Sequence, residues 1–371
     1  MTARVGFLVA FALVLAATAA GASQAPRRAV GIVAFRVPSG VYKVLHAPVR
    51  HETKTVSART RRLASARSIA RLAGLPPQAQ APAPAPAPAT VIPTDPGWPQ
   101  EWGLSQIGAP AAWQVSSGSK PVVIAVIDSG VDPAQPDLQG ALVPGADFVD
   151  STGSTADQYG HGTMVAGVIA ARPDNGLGGA GICWTCRVMP IKVLGADGSG
   201  TSVAIAQGIR YAADNGASVI SMSFVLSGPD AGVQSALAYA HSRGVLLIAA
   251  AGNSGTDQPT YPAAYPDVVS VAAVDPSGAL YPWSTHGTWV TLAAPGCAYT
   301  TAMGGGFVSN FCGTSAAAPL VAGLAGLALS AGNGSAADVE AELEQTAVPL
   351  PGAVGSGRVA AQQLLELATQ N

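Results

Sequence analysis

Apolar residues recur along the chain in two patterns, short continuous runs and longer segments with helical spacing. The continuous runs are rich in β-branched residues and indicate strands buried on both faces; they occupy residues 122–127, 188–194, 219–224, 245–250 and 268–274. The helically spaced segments occupy residues 162–171, 202–215, 233–243, 315–329, 336–346 and 360–369. Strands that alternate with helices predict an α/β fold of three layers, a mainly parallel sheet with helices on both faces.

The beginning of the chain departs from this pattern. Residues 1–22 resemble a secretory signal peptide, because a positive charge precedes an apolar run and Ala20-Gly21-Ala22 supplies a small-residue cleavage site. Residues 76–94 include a long Ala-Pro alternation, which favours an extended and exposed linker. We therefore expect an exported, soluble protein whose main domain covers residues 95–371.

Composition excludes other classes of protein. Hydrophobic residues make up 49% of the chain and charged residues 11%, with 44 glycines and 29 prolines, which suits a well-buried core joined by tight turns. The net charge of −2 offers no basic footprint for nucleic acid. No later run of about 18 uninterrupted apolar residues is present, so we expect no membrane anchor. A monomer is expected.

Four short motifs stand at the ends or beginnings of the predicted elements. They are Val126-Ile127-Asp128-Ser129-Gly130, Gly160-His161-Gly162-Thr163, Ala251-Gly252-Asn253 and Gly313-Thr314-Ser315-Ala316-Ala317-Ala318-Pro319. Asp128 ends a predicted strand, Asn253 follows another, and His161 and Ser315 begin helices. Sites form at the carboxyl ends of strands in such sheets. The motifs together supply a nucleophilic hydroxyl, a base, a carboxylate to orient it and a donor for an oxyanion.

The order Asp, His, Asn, Ser, with these flanking residues, resembles the subtilisin-like serine proteases, the subtilase family, over roughly residues 95–365. The resemblance implies that Ser315 is the nucleophile, that His161 is the general base, and that Asp128 orients the imidazole. It also implies that Asn253 donates its amide to the oxyanion. The expected activity is hydrolysis of polypeptides through an acyl-enzyme on Ser315, with no cofactor for catalysis.

Taken singly, each of these residues has an ordinary structural explanation. Ser315 could be an N-cap, Asp128 an Asx-turn residue, and Asn253 a turn residue. The presence of all four motifs in one chain favours the catalytic roles. The other histidines and the nearby acids are assigned to the N-terminal segment, the surface or turns: His46, His51, His241, His286, Asp132, Asp137 and Asp147.

The segments expected to bind substrate depart from the family pattern. The family usually has glycines after the strand serine that binds substrate backbone, whereas Ser223 is followed by Phe224, Val225 and Leu226. Thr260 falls where the family often has a small residue at the base of the primary specificity pocket. We expect substrate to contact a set of five residues in this cleft: Ser223, Phe224, Val225, Gly252 and Thr260.

Four cysteines in an exported chain permit two disulfides. Pairing Cys183 with Cys186 and Cys297 with Cys312 is the most local of three possible connectivities. A thioredoxin-like redox role for Cys183 and Cys186 is the alternative. It is disfavoured because the motif precedes a strand instead of opening a helix.

Residues 23–75 show weak strand alternation at 30–37 and 42–49 and then a helical stretch at 60–72. Such a small unit on an exposed tether, ahead of a protease-like domain, indicates a pro-region that binds the enzyme before maturation. An N-terminal extension with no folding role is the alternative.

The loop at Asp174 and Asn175 is a candidate for a family-typical structural calcium, although it lacks a run of acidic ligands. Two other functions stay open at this point. One is a catalytically silent, protease-like binding protein. The other is an exported thiol-disulfide protein.

Overall fold

A computed structural model describes most of the chain from residue 90 onward, together with two strands before it. The described residues are 30–36, 42–48, 90–150, 153–332, 334–350, 352 and 354–370. The chain divides into two compact units, Met1–Ala85 and Pro86–Asn371. In the first unit β1 (Val30–Arg36) pairs antiparallel with β2 (Tyr42–Pro48), where strand alternation predicted strands. The predicted signal peptide, the helix at 60–72 and most of the predicted linker lie outside the described residues.

A parallel sheet of eight strands forms the centre of the second unit. Its strands are β3 (Val123–Asp128), β4 (Ala146–Asp147), β5 (Arg187–Lys192), β6 (Val219–Met222), β7 (Leu246–Ala250), β8 (Val268–Val274), β9 (Leu292–Pro295) and β12 (Gly357–Arg358). Their order across the sheet is β12-β9-β8-β7-β6-β3-β5-β4, and each pairing is parallel. Parallel neighbours require crossover connections, so helices cover both faces of this sheet.

The helices form the two outer layers. They are α1 (Trp102–Gln106), α2 (Ala109–Ala112), α3 (His161–Ala170), α4 (Ser202–Asp214), α5 (Ala231–Ser242), α6 (Thr314–Ala331), α7 (Ala336–Gln345) and α8 (Ala361–Ala368). Successive residues of β3 point to opposite faces. Ile124 and Val126 pack into the core that contains α3 and α6, whereas Ala125 and Ile127 pack into the core that contains α4 and α5. The predicted three-layer α/β fold is confirmed.

Helix α6 is the central helix of its layer. Among the described residues it alone is long and apolar enough to cross a membrane, but most of it is buried inside the domain. It contains no run of 18 uninterrupted apolar residues, because small polar residues and Pro319 interrupt its sequence. Its apolar character is therefore accounted for by packing against the sheet.

An antiparallel hairpin leads directly into α6. It consists of β10 (Cys297–Thr301) and β11 (Phe307–Cys312), in which Cys297 and Cys312 are directly opposite each other. The apolar pattern of the sequence did not predict β4, β9 or β12, because strands of two to four residues leave too short an apolar run.

Candidate active site

Asp128 is the last residue of β3, at the carboxyl end of the sheet, and it is fully buried. Both carboxylate oxygens lie 2.9 Å from Nδ1 of His161. The main-chain N–H of Ser129 donates to Oδ1 over 2.8 Å, which helps to hold the carboxylate in place. A buried carboxylate bound in this way holds the imidazole in one orientation.

His161 begins α3, and its side chain is 20% exposed. Because Nδ1 is bound to Asp128, the proton-accepting nitrogen of the neutral ring is Nε2. Burial alone lowers the pKa of the imidazole, but the charge and hydrogen bond of Asp128 and the charge of Asp157 together outweigh it, so the pKa is raised above its ordinary 6.5. Gly162 allows α3 to approach β3, since a Cβ there would clash with the carbonyl oxygen of Gly130.

Ser315 lies in the first turn of α6, and α6 packs against α3. Its Oγ donates to the main-chain carbonyl of Ser223 over 3.1 Å. Within the described part of the chain no hydrogen bond joins Ser315 to His161. The hydroxyl of Ser223 in turn donates to the carbonyl of Ser315 over 3.2 Å. That carbonyl lacks its usual helical partner, because residue 319 is a proline and has no N–H.

Asn253 follows β7 and is exposed. Its Oδ1 accepts from the main-chain N–H of Thr314 over 2.9 Å and from the Thr314 hydroxyl over 3.1 Å. A main-chain N–H can only donate, so the amide oxygen must face Thr314 and Nδ2 must face away. Gly313 lies beside Nδ2, where an added Cβ would come within 3.3 Å. Among the described residues nothing accepts a hydrogen bond from these amide N–H groups, which can therefore donate to an incoming acceptor.

Comparison with known proteins gives the same family as these four residues. The subtilase family profile, Peptidase_S8, matches residues 119–365. Thermitase from Thermoactinomyces vulgaris is 41% identical over 261 residues, which make up 70% of this chain and 93% of thermitase. The chain belongs to the subtilase family.

Two further relatives of this subtilase also bear the names of proteases. The thermophilic serine proteinase of Bacillus sp. (strain AK1) is 41% identical over 241 residues, 65% of this chain and 60% of that protein. Subtilisin BL from Lederbergia lenta is 40% identical over 226 residues, 61% of this chain and 82% of that protein. The chain is a serine-type endopeptidase, an activity that needs no cofactor for catalysis.

Asp157 is a buried carboxylate of this subtilase that the motifs did not single out. It accepts hydrogen bonds from Ser129 and Thr163, which flank the Asp128 and His161 positions. The available signal was an acidic residue four positions before the candidate base, ahead of a helix. Thr314 lies inside the serine motif, and the sequence did not indicate its part in holding the side chain of Asn253.

The residues predicted to line the substrate cleft have unequal exposure. Phe224 and Leu226 pack partly against the core beneath α4 and α5, whereas Val225 is 49% exposed. The three line an open cavity of about 450 Å³ together with the loop before α4. Phe224 and Leu226 therefore have less side-chain surface available to substrate than the sequence suggested. Of the three, Val225 presents the most.

Gly252, which directly precedes Asn253, lies next to Thr260. A Cβ on Gly252 would come within 3.4 Å of Thr260 Cγ2, and the φ of Gly252 is +101°. The hydroxyl of Thr260 donates to the carbonyl of Ala251 over 2.6 Å. That hydroxyl is thus already bound to the main chain.

Both disulfides are formed in the pattern of adjacent pairs. Cys183 bonds Cys186, and Cys297 bonds Cys312. Cys183 and Cys186 are 0% and 1% exposed, so a thiol reagent cannot reach either sulfur in the folded protein. This burial disfavours the thiol-disulfide function.

Three buried carboxylates lie near the loop at Asn175, and they are Asp95, Glu101 and Asp137. Burial raises the pKa of Asp137 to about 6, despite the hydrogen bond that the Asn175 amide donates to it. Burial also raises the pKa of Glu101 well above its usual range. Asp137 was assigned from sequence as a turn acid. It does sit in a short helical turn, but it is fully buried and its Oδ2 has no hydrogen-bond partner among the residues that the structure describes.

Proposed function

We propose that this subtilase is a secreted endopeptidase whose catalytic triad is Asp128, His161 and Ser315, with Asn253 as the oxyanion donor. The observation that carries the proposal is the pair of 2.9 Å contacts between the Asp128 carboxylate and Nδ1 of His161. A carboxylate bound to Nδ1 leaves Nε2 as the base and stabilises the imidazolium that forms.

The reaction begins with proton transfer from Ser315 to His161. Rotation about χ1 of Ser315 carries Oγ from the Ser223 carbonyl to Nε2 of His161, an adjustment typical of sites without substrate. Oγ then attacks the substrate carbonyl carbon as its proton passes to Nε2, and the carbonyl oxygen becomes an oxyanion. Nδ2 of Asn253 and the main-chain N–H of Ser315 donate to that oxyanion.

The tetrahedral intermediate then collapses. His161 gives its proton to the leaving amine, the peptide C–N bond breaks, and the acyl group stays on Ser315. Water attacks the acyl carbon in the second half, with His161 again taking a proton and returning it to Oγ of Ser315. In the net reaction one peptide bond is hydrolysed by one water molecule, a carboxylic acid and an amine are released, and the enzyme returns to its starting state.

Labelling of the processed protein with an organofluorophosphonate tests this proposal. We expect one label per chain on Ser315, and none on the Ser315→Ala or His161→Ala variants. A catalytically silent binding protein would leave the processed wild type unlabelled while its fold, monitored by circular dichroism, stays intact. Ser315→Ala serves as the matched control, because it removes one oxygen atom from the site.

Export and maturation form the second part of the proposal. Residues 1–22 are the signal peptide, residues 23–75 the pro-region, residues 76–94 the linker, and residues 95–371 the peptidase domain. Sequencing the N-terminus of the mature protein from the culture medium tests these boundaries. Autocatalytic maturation predicts that Ser315→Ala accumulates the full-length precursor, whereas normal maturation of that variant would require another protease.

A structural calcium ion is the third part of the proposal, and its site is centred on Asp137. The unpartnered, buried Oδ2 of Asp137 and the nearby buried carboxylates of Asp95 and Glu101 suit a hard cation. No three acidic, His or Cys side chains of the described residues are grouped closely enough to hold a metal by themselves. Amide and main-chain oxygens, such as those of Asn175, would therefore complete the shell. Asp174, in the loop predicted from sequence, accepts two hydrogen bonds from Thr94 at Oδ1, so its Oδ2 is the oxygen that would serve an ion.

A further inference from the structure

Asp157 is a carboxylate beside the proposed base that the acyl-transfer steps do not use. It is 9% exposed. Its Oδ1 accepts from the Ser129 hydroxyl over 2.9 Å and from the main-chain N–H groups of Tyr159 and Gly160 over 3.0 and 2.7 Å. Its Oδ2 accepts from the N–H and the hydroxyl of Thr163 over 2.9 and 2.6 Å. Every partner belongs to a segment that carries Asp128 or His161.

Ser129 connects Asp157 to both members of the proposed Asp–His pair. Its hydroxyl donates to Asp157 and accepts from the main-chain N–H of Gly162 over 3.0 Å. Its own main-chain N–H donates to Oδ1 of Asp128 over 2.8 Å. The end of β3 and the first turn of α3 are thereby tied together around one carboxylate.

The bonding pattern requires a carboxylate at position 157. Three of its partners are main-chain N–H groups, which can only donate, and they lie against both oxygens: Tyr159 and Gly160 at Oδ1, Thr163 at Oδ2. An asparagine would turn its NH₂ toward one of these donors in either orientation. Hydrogen bonds to an ionised carboxylate are also shorter and stronger than bonds between neutral groups.

Asp157 also adds charge to the site. The charged groups that act on the His161 imidazole are Asp128 and Asp157. Among the described residues Asp157 forms no ion pair, so hydrogen bonds and not a cation stabilise its negative charge. The nearby cation Lys192 donates instead to the Gln158 side chain over 3.0 Å.

We propose that Asp157 is a positioning residue for catalysis, which fixes the Asp128–His161 pair through Ser129 and the first turn of α3 and adds a second negative charge that stabilises the imidazolium. The inference rests on the proposed triad. It assigns Asp157 no contact with substrate.

The test compares Asp157→Asn and Ser129→Ala with wild type, using processed enzyme whose active sites are counted by fluorophosphonate titration. For Asp157→Asn we expect kcat to fall about 10- to 100-fold with KM unchanged, because small misplacements of reacting groups have effects of this size. We also expect the acid limb of the kcat/KM profile to move to lower pH, since one negative charge is lost. Ser129→Ala should lower kcat less and leave that limb in place, because the Asp157 charge remains.

Asp275→Asn is the matched control. Its carboxylate likewise holds a turn, accepting from Ser277 and Ala279, and is far along the chain from the triad motifs. It should leave both kcat and the pH profile unchanged. If Asp157→Asn has a full count of titrated active sites and its acid limb does not move, the inference is overturned. A wild-type kcat in Ser129→Ala would also overturn it, and this variant decides the question if Asp157→Asn does not mature. Wild type that takes no label would instead refute the proposed triad.

Discussion

The side chain of Asn253 is oriented by the residue that precedes Ser315, because the main-chain N–H of Thr314 donates to Asn253 Oδ1 over 2.9 Å. The two residues are 61 positions apart in sequence. The Thr314 hydroxyl adds a second bond to the same oxygen and accepts from the N–H of Gly252 over 3.0 Å. The proposed nucleophile and the proposed oxyanion donor are thus held in one hydrogen-bonded unit.

This relationship predicts the effect of changing Asn253. Asn253→Leu should lower kcat about 10²- to 10³-fold with little change in KM, because a donor to the oxyanion is lost. Asn253→Asp should be worse still, since one oxygen accepts from Thr314 and the other presents negative charge to the oxyanion. Steady-state kinetics on one peptide substrate measure both variants. Equal activity of Asn253→Leu and wild type would remove Asn253 from the oxyanion hole.

The pH dependence of activity follows from the raised pKa of His161. The base must be neutral, so kcat/KM should rise with pH through a midpoint above 6.5. Asp128→Ala should move this limb to lower pH and lower kcat by orders of magnitude. The contribution of His161 to the free energy of unfolding has the opposite trend. It is fully present below the ordinary pKa of the imidazole and is lost as pH rises through its folded-state pKa. NMR titration of the imidazole checks the direction.

Calcium should stabilise the protein through the site centred on Asp137. A ligand that binds only the folded state at 100 times its Kd adds about 2.7 kcal/mol to the free energy of unfolding. We expect EGTA to lower Tm and added calcium to restore it, and Asp137→Asn to abolish the calcium-dependent gain. Asp275→Asn, which alters a partly exposed turn acid, should keep that gain. A Tm of wild type that is indifferent to calcium would exclude the site.

The Cys297–Cys312 disulfide should contribute more to stability than Cys183–Cys186. The pairs are 15 and 3 residues apart, and the loop-entropy relation assigns them about 3 and about 1.6 kcal/mol. Chemical denaturation of the two Cys→Ser double variants measures the difference. Thiol counting on denatured, unreduced wild type should find none, and four free thiols would contradict both bridges.

Val225 should be the main determinant of specificity in the segment after Ser223, because it is the residue of that segment with the most exposed side chain. We expect a preference for small or medium apolar residues before the scissile bond and weak cleavage after Arg or Lys. A pocket change of this size is worth about 1–3 kcal/mol, so a preference and not absolute selectivity is expected.

The measurement is kcat/KM for matched peptides with Ala, Leu, Phe or Arg at that position, in wild type and in Val225→Gly. The glycine variant should gain turnover with Phe, because it removes the side chain that narrows the cleft. Phe224→Leu, at a partly buried neighbour, serves as the control and should alter the ratios less. Best turnover of wild type with Phe or Arg would contradict this role for Val225.

The elements with the longest apolar patterns were predictable from sequence. Strands such as β3 and β8 consist of continuous apolar runs that are buried on both faces. Helix α6 was predicted to within two residues at its ends. Strands β4 and β12 have two residues each, and a pairing of that length is stabilised by its neighbours in the sheet and not by its own pattern.

The sequence by itself determined the family, the layered fold and the four residues with candidate chemistry, because each of these is carried by a local motif or a local period. Tertiary structure decided how those residues are held. Asp157 gains its role because the chain brings Ser129 and Thr163 to its two oxygens. Phe224 and Leu226 pack partly against the neighbouring core, whereas Val225 between them is exposed. Such relationships join positions far apart in the chain, and only the packed molecule sets the distances between them.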